Sequence, residues 1–115
     1  MKNWKLTLLL VVASASLVAS QAFNLIDCNK QENDVLLHTK NMERTFKLLR
    51  NQEANVVYSN PNAVITCVEV LDQRTDGSGG NATILEGGLG HHNVTIKLRS
   101  QFSRGFSFVI NIYGH

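Results

Sequence analysis

The chain has 115 residues, 43% hydrophobic and 17% charged, and its eleven basic and nine acidic side chains give a formal net charge of +2. A chain of this length holds one hydrophobic core, which excludes a multidomain architecture. No dense basic run stands ready to replace phosphate counterions, so nucleic acid is not expected as a direct partner.

The chain opens MKNWKLTLLLVVASASLVASQAF, with Lys2 and Lys5 ahead of an apolar stretch from Leu6 to Ala19 and small residues after it. That order of charged, apolar and small segments predicts a cleaved secretory signal peptide. About 14 apolar residues rise only about 21 Å as a helix, short of the roughly 30 Å hydrocarbon core, which argues against a membrane span. Ser20 and Ala22 place small residues third and first before a cut, giving a signal peptide at 1–22 and a single domain at 23–115. A cut after Ser20 is the alternative. Lys2 and Lys5 leave with the signal, so the remaining chain carries nine basic and nine acidic residues and no formal net charge. The expected location is secreted, extracellular.

Cys28 and Cys67 survive that processing. An even cysteine count in a short secreted chain predicts a disulfide, and closing a loop of about 40 residues stabilises a fold by roughly 4 kcal/mol in the chain-entropy treatment. Neither cysteine sits in a CxxC pair, so neither is expected to hold a metal or act in redox exchange.

The stretch DVLLHTKNMERTFKLLRNQEA has two readings. Met42, Phe46 and Leu49 recur at helical spacing; alternatively VLLH and TFKLLR are two strands joined by a turn at Thr39-Lys40-Asn41-Met42. Strand signals at regular spacing elsewhere favour the second. NVVYS predicts a short strand, followed by a turn at Ser59-Asn60-Pro61-Asn62. In NAVITCVEVLD, Val64, Thr66, Val68 and Val70 alternate with Ile65, Cys67 and Leu71. Apolar residues on both faces predict a central strand with a bulge or an edge crossing its middle.

Six of the eight glycines fall between residues 76 and 90, in DGSGGNATILEGGLG. Gly79-Gly80 runs into Asn81 rather than Lys-Ser/Thr, so this is not a phosphate loop, and a β run rather than a helix follows, so it is not a dinucleotide fingerprint. Asp72, Asp76 and Ser78 carry oxygens suited to calcium, but no bidentate glutamate closes the loop. The glycines are expected to mark two turns flanking a strand at Asn81–Leu85. Adjacent His91 and His92 point to opposite faces of a strand and do not converge on a metal; His38 and His115 lie far off in sequence. Asn81-Ala82-Thr83 and Asn93-Val94-Thr95 are N-glycosylation sequons, Asn81 being the better placed beside a loop.

In HNVTIKLRS, Val94, Ile96 and Leu98 face inward while Thr95, Lys97 and Arg99 face water; in GFSFVINIYG, Phe106, Phe108, Ile110 and Ile112 form one face of a strand. No nucleophile, base and orienting group occur in a local catalytic motif, so no enzymatic activity, cofactor or metal is expected.

The block DGSGGNATILEGGLGHHNVTIKLRSQFSRGFSFVINIYG resembles the insect multiprotein bridging factor 2 family. The residues that carry the likeness are Asp76-Gly77, Gly79-Gly80, Gly87-Gly88, Gly90, Val94 to Leu98, Ser100-Gln101, Arg104-Gly105 and Ile112-Tyr113-Gly114. Leu89 stands where such chains often have proline. The resemblance implies either a transcriptional co-activator that bridges other proteins, after the name-giving member, or a small secreted protein, as many relatives look. Signal, cysteine pair and sequons together favour the second. The expectation is an all-β, disulfide-stapled, antiparallel sheet or sandwich domain that acts by binding a protein partner. Lys97, Arg99 and Arg104 form its expected contact surface.

Overall fold

The computed structural model describes residues 21–115, so the predicted signal peptide lies outside the described residues except at its last two positions. The described chain forms seven strands: β1 (Leu25–Cys28), β2 (Val35–Arg44), β3 (Glu53–Ser59), β4 (Ile65–Asp72), β5 (Asn81–Gly87), β6 (Asn93–Arg99) and β7 (Phe106–Gly114). All pairings are antiparallel, in a four-stranded sheet ordered β1-β4-β7-β2 and a three-stranded sheet ordered β3-β6-β5. No helix among the described residues is long and apolar enough to cross a membrane.

The core follows from the alternation. Phe106, Phe108, Ile110 and Ile112 of β7 meet Val94, Ile96 and Leu98 of β6, and all seven are buried. Ile65, Val68, Val70 and Val56 complete the layer between the two sheets. Face-to-face sheets bury their inward rows in this way, each large side chain contributing about 1.5–3 kcal/mol. The bulge expected in β4 falls between Ile65 and Cys67. It resets the phase of the strand, so that Ile65 is buried before it and Val68 and Val70 after it. Cys67 bonds Cys28, its direct partner across the β1–β4 ladder.

The glycines act as punctuation. Gly87, Gly88 and Gly90 hold φ at +72°, +104° and +83° through the β5–β6 hairpin, a region that L side chains avoid. β5 runs on to Gly87, two residues past its expected end.

The N-terminal half departs from expectation. Residues Thr39–Met42 are not a turn: they lie inside β2, one ten-residue strand paired along β7. Thr-Lys-Asn-Met contains no Gly or Pro to break the chain, and β7 offers nine residues of ladder, so pairing prevails over local composition. Thr39 Oγ1 donates to Asn111 Oδ1 across that ladder at 2.8 Å. TFKLLR is neither strand nor helix. It forms most of the β2–β3 loop, treated below.

One acidic residue fastens the C-terminus. Asp34, just before β2, accepts hydrogen bonds from the Gln31 N–H at 2.7 Å and the Thr66 hydroxyl, and faces His115 Nδ1 at 2.7 Å. Those bonds, the Thr66 hydroxyl's first, hold its carboxyl below the ordinary value of 3.8. A depressed folded pKa contributes stability that is present above the unfolded value and disappears as pH falls through the folded one. Asp34→Asn is therefore expected to melt below the parent at pH 5–7, and the two melting temperatures should converge below pH 3.8. Thermal melts of both proteins across acid pH check this; a gap that persists to the lowest pH would point to a role independent of charge.

Candidate binding surface

Of the expected contact residues, Lys97 and Arg99 come together on the solvent side of β6. Lys97 Nζ and Arg99 Nη1 each stand 3.6 Å from Glu53 Oε1, on the neighbouring strand β3. Exposed pairs of this kind contribute little to stability, but they do compensate the local charge. Arg104 sits apart in the β6–β7 loop and forms no ion pair within 4.0 Å among the described residues. The Ser78 hydroxyl and then its N–H hold the Asp76 carboxyl below its usual range, and the charge of Arg104 adds to this. The structure thus joins two of the three residues on a carboxylate and directs the third elsewhere.

The glycine loop is closed by a side chain. Gln101 Nε2 donates to the carbonyls of Gly77 and Gly79, both at 2.8 Å, which occupies groups a ligand would otherwise meet. Asn81 is exposed at the start of the edge strand β5, whereas Asn93 is half-buried at the start of the central strand β6. The histidines are dispersed. His91 and His92 are exposed on the β5–β6 hairpin, His92 Nδ1 lying 2.7 Å from the Ala63 carbonyl; His38 stacks on Tyr58 with ring centroids 5.2 Å apart. Among the described residues no three His, Cys, Asp or Glu side chains gather as a metal site.

A different feature dominates the surface. At one end of the sandwich the β2–β3 and β6–β7 loops raise Phe46, Leu48, Leu49 and Phe102 into solvent, 63%, 71%, 80% and 59% exposed. These loops are clamped to each other. The Leu49 N–H donates to Ser103 Oγ at 2.8 Å, the Ser103 N–H to the Arg50 carbonyl at 2.9 Å, and Asn51 Nδ2 to the Ser100 carbonyl at 3.0 Å. Beneath them the nearly buried Gln52 donates from its side chain to the carbonyls of Thr45 and Arg104, and its N–H to Ser100 Oγ at 2.7 Å. Leu49 and Ser103, joined by one of those bonds, are the only non-glycine residues with positive φ among the described ones, at +63° and +59°. Such a conformation costs about 1–3 kcal/mol per residue and persists only where the surroundings over-determine it.

The same end is basic. Arg44, Lys47 and Arg50 line a shallow depression with Asn51, Gln52 and Glu53. Among the described residues the ion pairs within 4.0 Å involve Lys97, Arg99 and His115, so no carboxylate lies that close to Arg44, Lys47 or Arg50. The expectation of a strand at TFKLLR rests on the regular spacing of strand signals elsewhere and passes over its own mixture of bulky apolar residues with Lys47 and Arg50. The signal for a surface tip was that mixture itself, since an inward-facing row rarely carries so many cations.

A sequence model of the family described as Transcription activator MBF2 matches residues 29–114. Among curated proteins, one described as a probable salivary secreted peptide, from Bombus ignitus, is 53% identical over 49 residues. That alignment covers 43% of this chain and 37% of the relative, so the match spans little more than a third of the relative's length. No solved structure matches the chain.

Proposed function

This chain belongs to the MBF2 family, which accounts for residues 29–114, and from that premise we propose that it is a secreted protein that acts by binding rather than catalysis, through its β2–β3 and β6–β7 loop end. The observation that carries the reading is the exposure of four large apolar side chains beside Arg44, Lys47 and Arg50 on loops locked by hydrogen bonds. A soluble domain rarely leaves such a group open to water without a use for it. The Cys28–Cys67 disulfide, the signal-like N-terminus and the similarity to a salivary secreted peptide all support an extracellular setting. The family's description as a transcription activator favours a second reading, an intracellular co-activator that bridges proteins.

Expression of the full chain in insect cells separates the two. Intact mass of the product in medium is expected to show loss of residues 1–22, an intact disulfide and a glycan that disappears in Asn81→Gln but not in Asn93→Gln. An uncleaved, reduced and unmodified chain confined to the lysate would reverse the assignment and bring the co-activator forward.

A further inference from the structure

We infer that the partner of this loop end is an anionic phospholipid surface, an inference that rests on the loop end being the working face. Three observations converge on it. Phe46, Leu48, Leu49 and Phe102 stand at loop tips rather than in a groove, a form suited to dipping into the boundary between headgroups and acyl chains. Arg44, Lys47 and Arg50 surround a depression next to those tips, where guanidinium forks and an ammonium meet phosphate oxygens with matching geometry. The third is the left-handed backbone at Leu49, which raises the most exposed apolar side chain of the group in spite of its conformational cost.

Charge decides between this partner and a second copy of the chain. Beyond the signal region nine cations balance nine anions, yet residues 44–52 carry Arg44, Lys47 and Arg50 with no carboxylate among them, and Glu53 at the rim is engaged by Lys97 and Arg99. A symmetric dimer through this end would set those cations against their own copies, and like charges facing each other across an interface oppose association. A lipid surface with negative headgroups turns the same charges into attraction, at about fivefold in binding for each cation brought near the surface.

The test is co-sedimentation of the secreted protein with vesicles of phosphatidylcholine alone or with added phosphatidylserine, read with melting temperatures of every variant. The parent is expected to bind the phosphatidylserine vesicles, to release them in high salt, and to ignore the neutral ones. Lys47→Gln with Arg50→Gln should weaken binding about 25-fold, and Phe46→Ala at least about tenfold. Leu49→Gly is the decisive variant. Glycine accepts positive φ without strain, so the melting temperature should hold or rise while vesicle binding falls. A merely structural role for Leu49 would move the two readouts together.

A folded parent that ignores anionic vesicles overturns the lipid assignment. If Phe46→Ala then abolishes self-association, or binding to a soluble acidic polypeptide, the loop end is still the working face and only its partner was wrong. If instead anionic vesicles are bound equally by the parent, Phe46→Ala and Leu49→Gly, another face makes the contact and both readings fail.

Discussion

Phe108→Ala is expected to destabilise the domain by about 3–5 kcal/mol, the range for emptying a large aromatic site in a packed core. Phe108 is 1% exposed, third of the nine residues of β7, between Met42 of β2 and Asp72 of β4, with the Phe106 ring 5.7 Å away centroid to centroid. Neither neighbouring strand can close the gap without breaking its ladder with β7, so little relaxation is available. Domains of this size have a total stability of about 5–15 kcal/mol, and each kcal/mol shifts the melting temperature by roughly 4–8 °C. The variant should therefore melt at least about 12 °C below the parent. In urea its midpoint should fall while the slope stays constant. Val109→Ala, on the half-exposed outer face of the same strand, serves as the control and should lose about 1 kcal/mol or less. Equal losses at the two positions would mean that β7 does not lie with Phe108 between the sheets.

Removing the disulfide has an effect of similar size for a different reason. The bond closes a separation of 39 residues, and that loop contains all of β2 and β3, one strand from each sheet. It therefore limits the unfolded excursions of chain that must later find places on both sides of the core. The chain-entropy treatment gives about 4 kcal/mol for such a loop. Cys28→Ala with Cys67→Ala should lower stability by that amount and steepen the urea dependence, because the unfolded chain, freed of its cross-link, exposes more surface. A loss under about 1 kcal/mol with an unchanged slope would mean that the unfolded chain stays compact without the bond.

The strands that proved readable are those whose side chains settle their own orientation. β6 and β7 alternate so cleanly that the sequence turns Val94, Ile96 and Leu98 inward and gathers Phe106, Phe108, Ile110 and Ile112 on one face, and every one is buried. Apolar residues on both faces of β4 signal a bulge or an edge crossing its middle, and the structure has the bulge, between Ile65 and Cys67. The sequence reading ends the strand at His38 because Thr39, Lys40 and Asn41 resemble a turn until β7 is known to run beside them as far as Arg44, and it places a second strand at TFKLLR, where the chain forms a loop. β1 was missed altogether. Four residues of LIDC are too short for periodicity, and their pairing depends on the free edge of β4 and the bond to Cys67. The pairing of Lys97 and Arg99 is hidden from the sequence for a related reason. Outward charges on β6 were visible, but their compensation by Glu53 comes from a strand more than forty residues earlier. The exposure of Phe46, Leu48 and Leu49 depends on the hydrogen bonds that Gln52 donates and on the one that Ser103 Oγ accepts from the Leu49 N–H, and hydrophobicity alone reads such residues as core.

The most direct measurement is a titration of the isotope-labelled protein with phosphatidylserine nanodiscs, following each backbone amide by two-dimensional NMR. Contact through the loop end broadens or shifts the amides of residues 45–51 and 101–104 first and leaves the outer face of the four-stranded sheet quiet. Perturbations centred on Thr39, Glu69 and Asn111, with the loop amides unmoved, would place the working face on the outer face of the four-stranded sheet and refute the assignment.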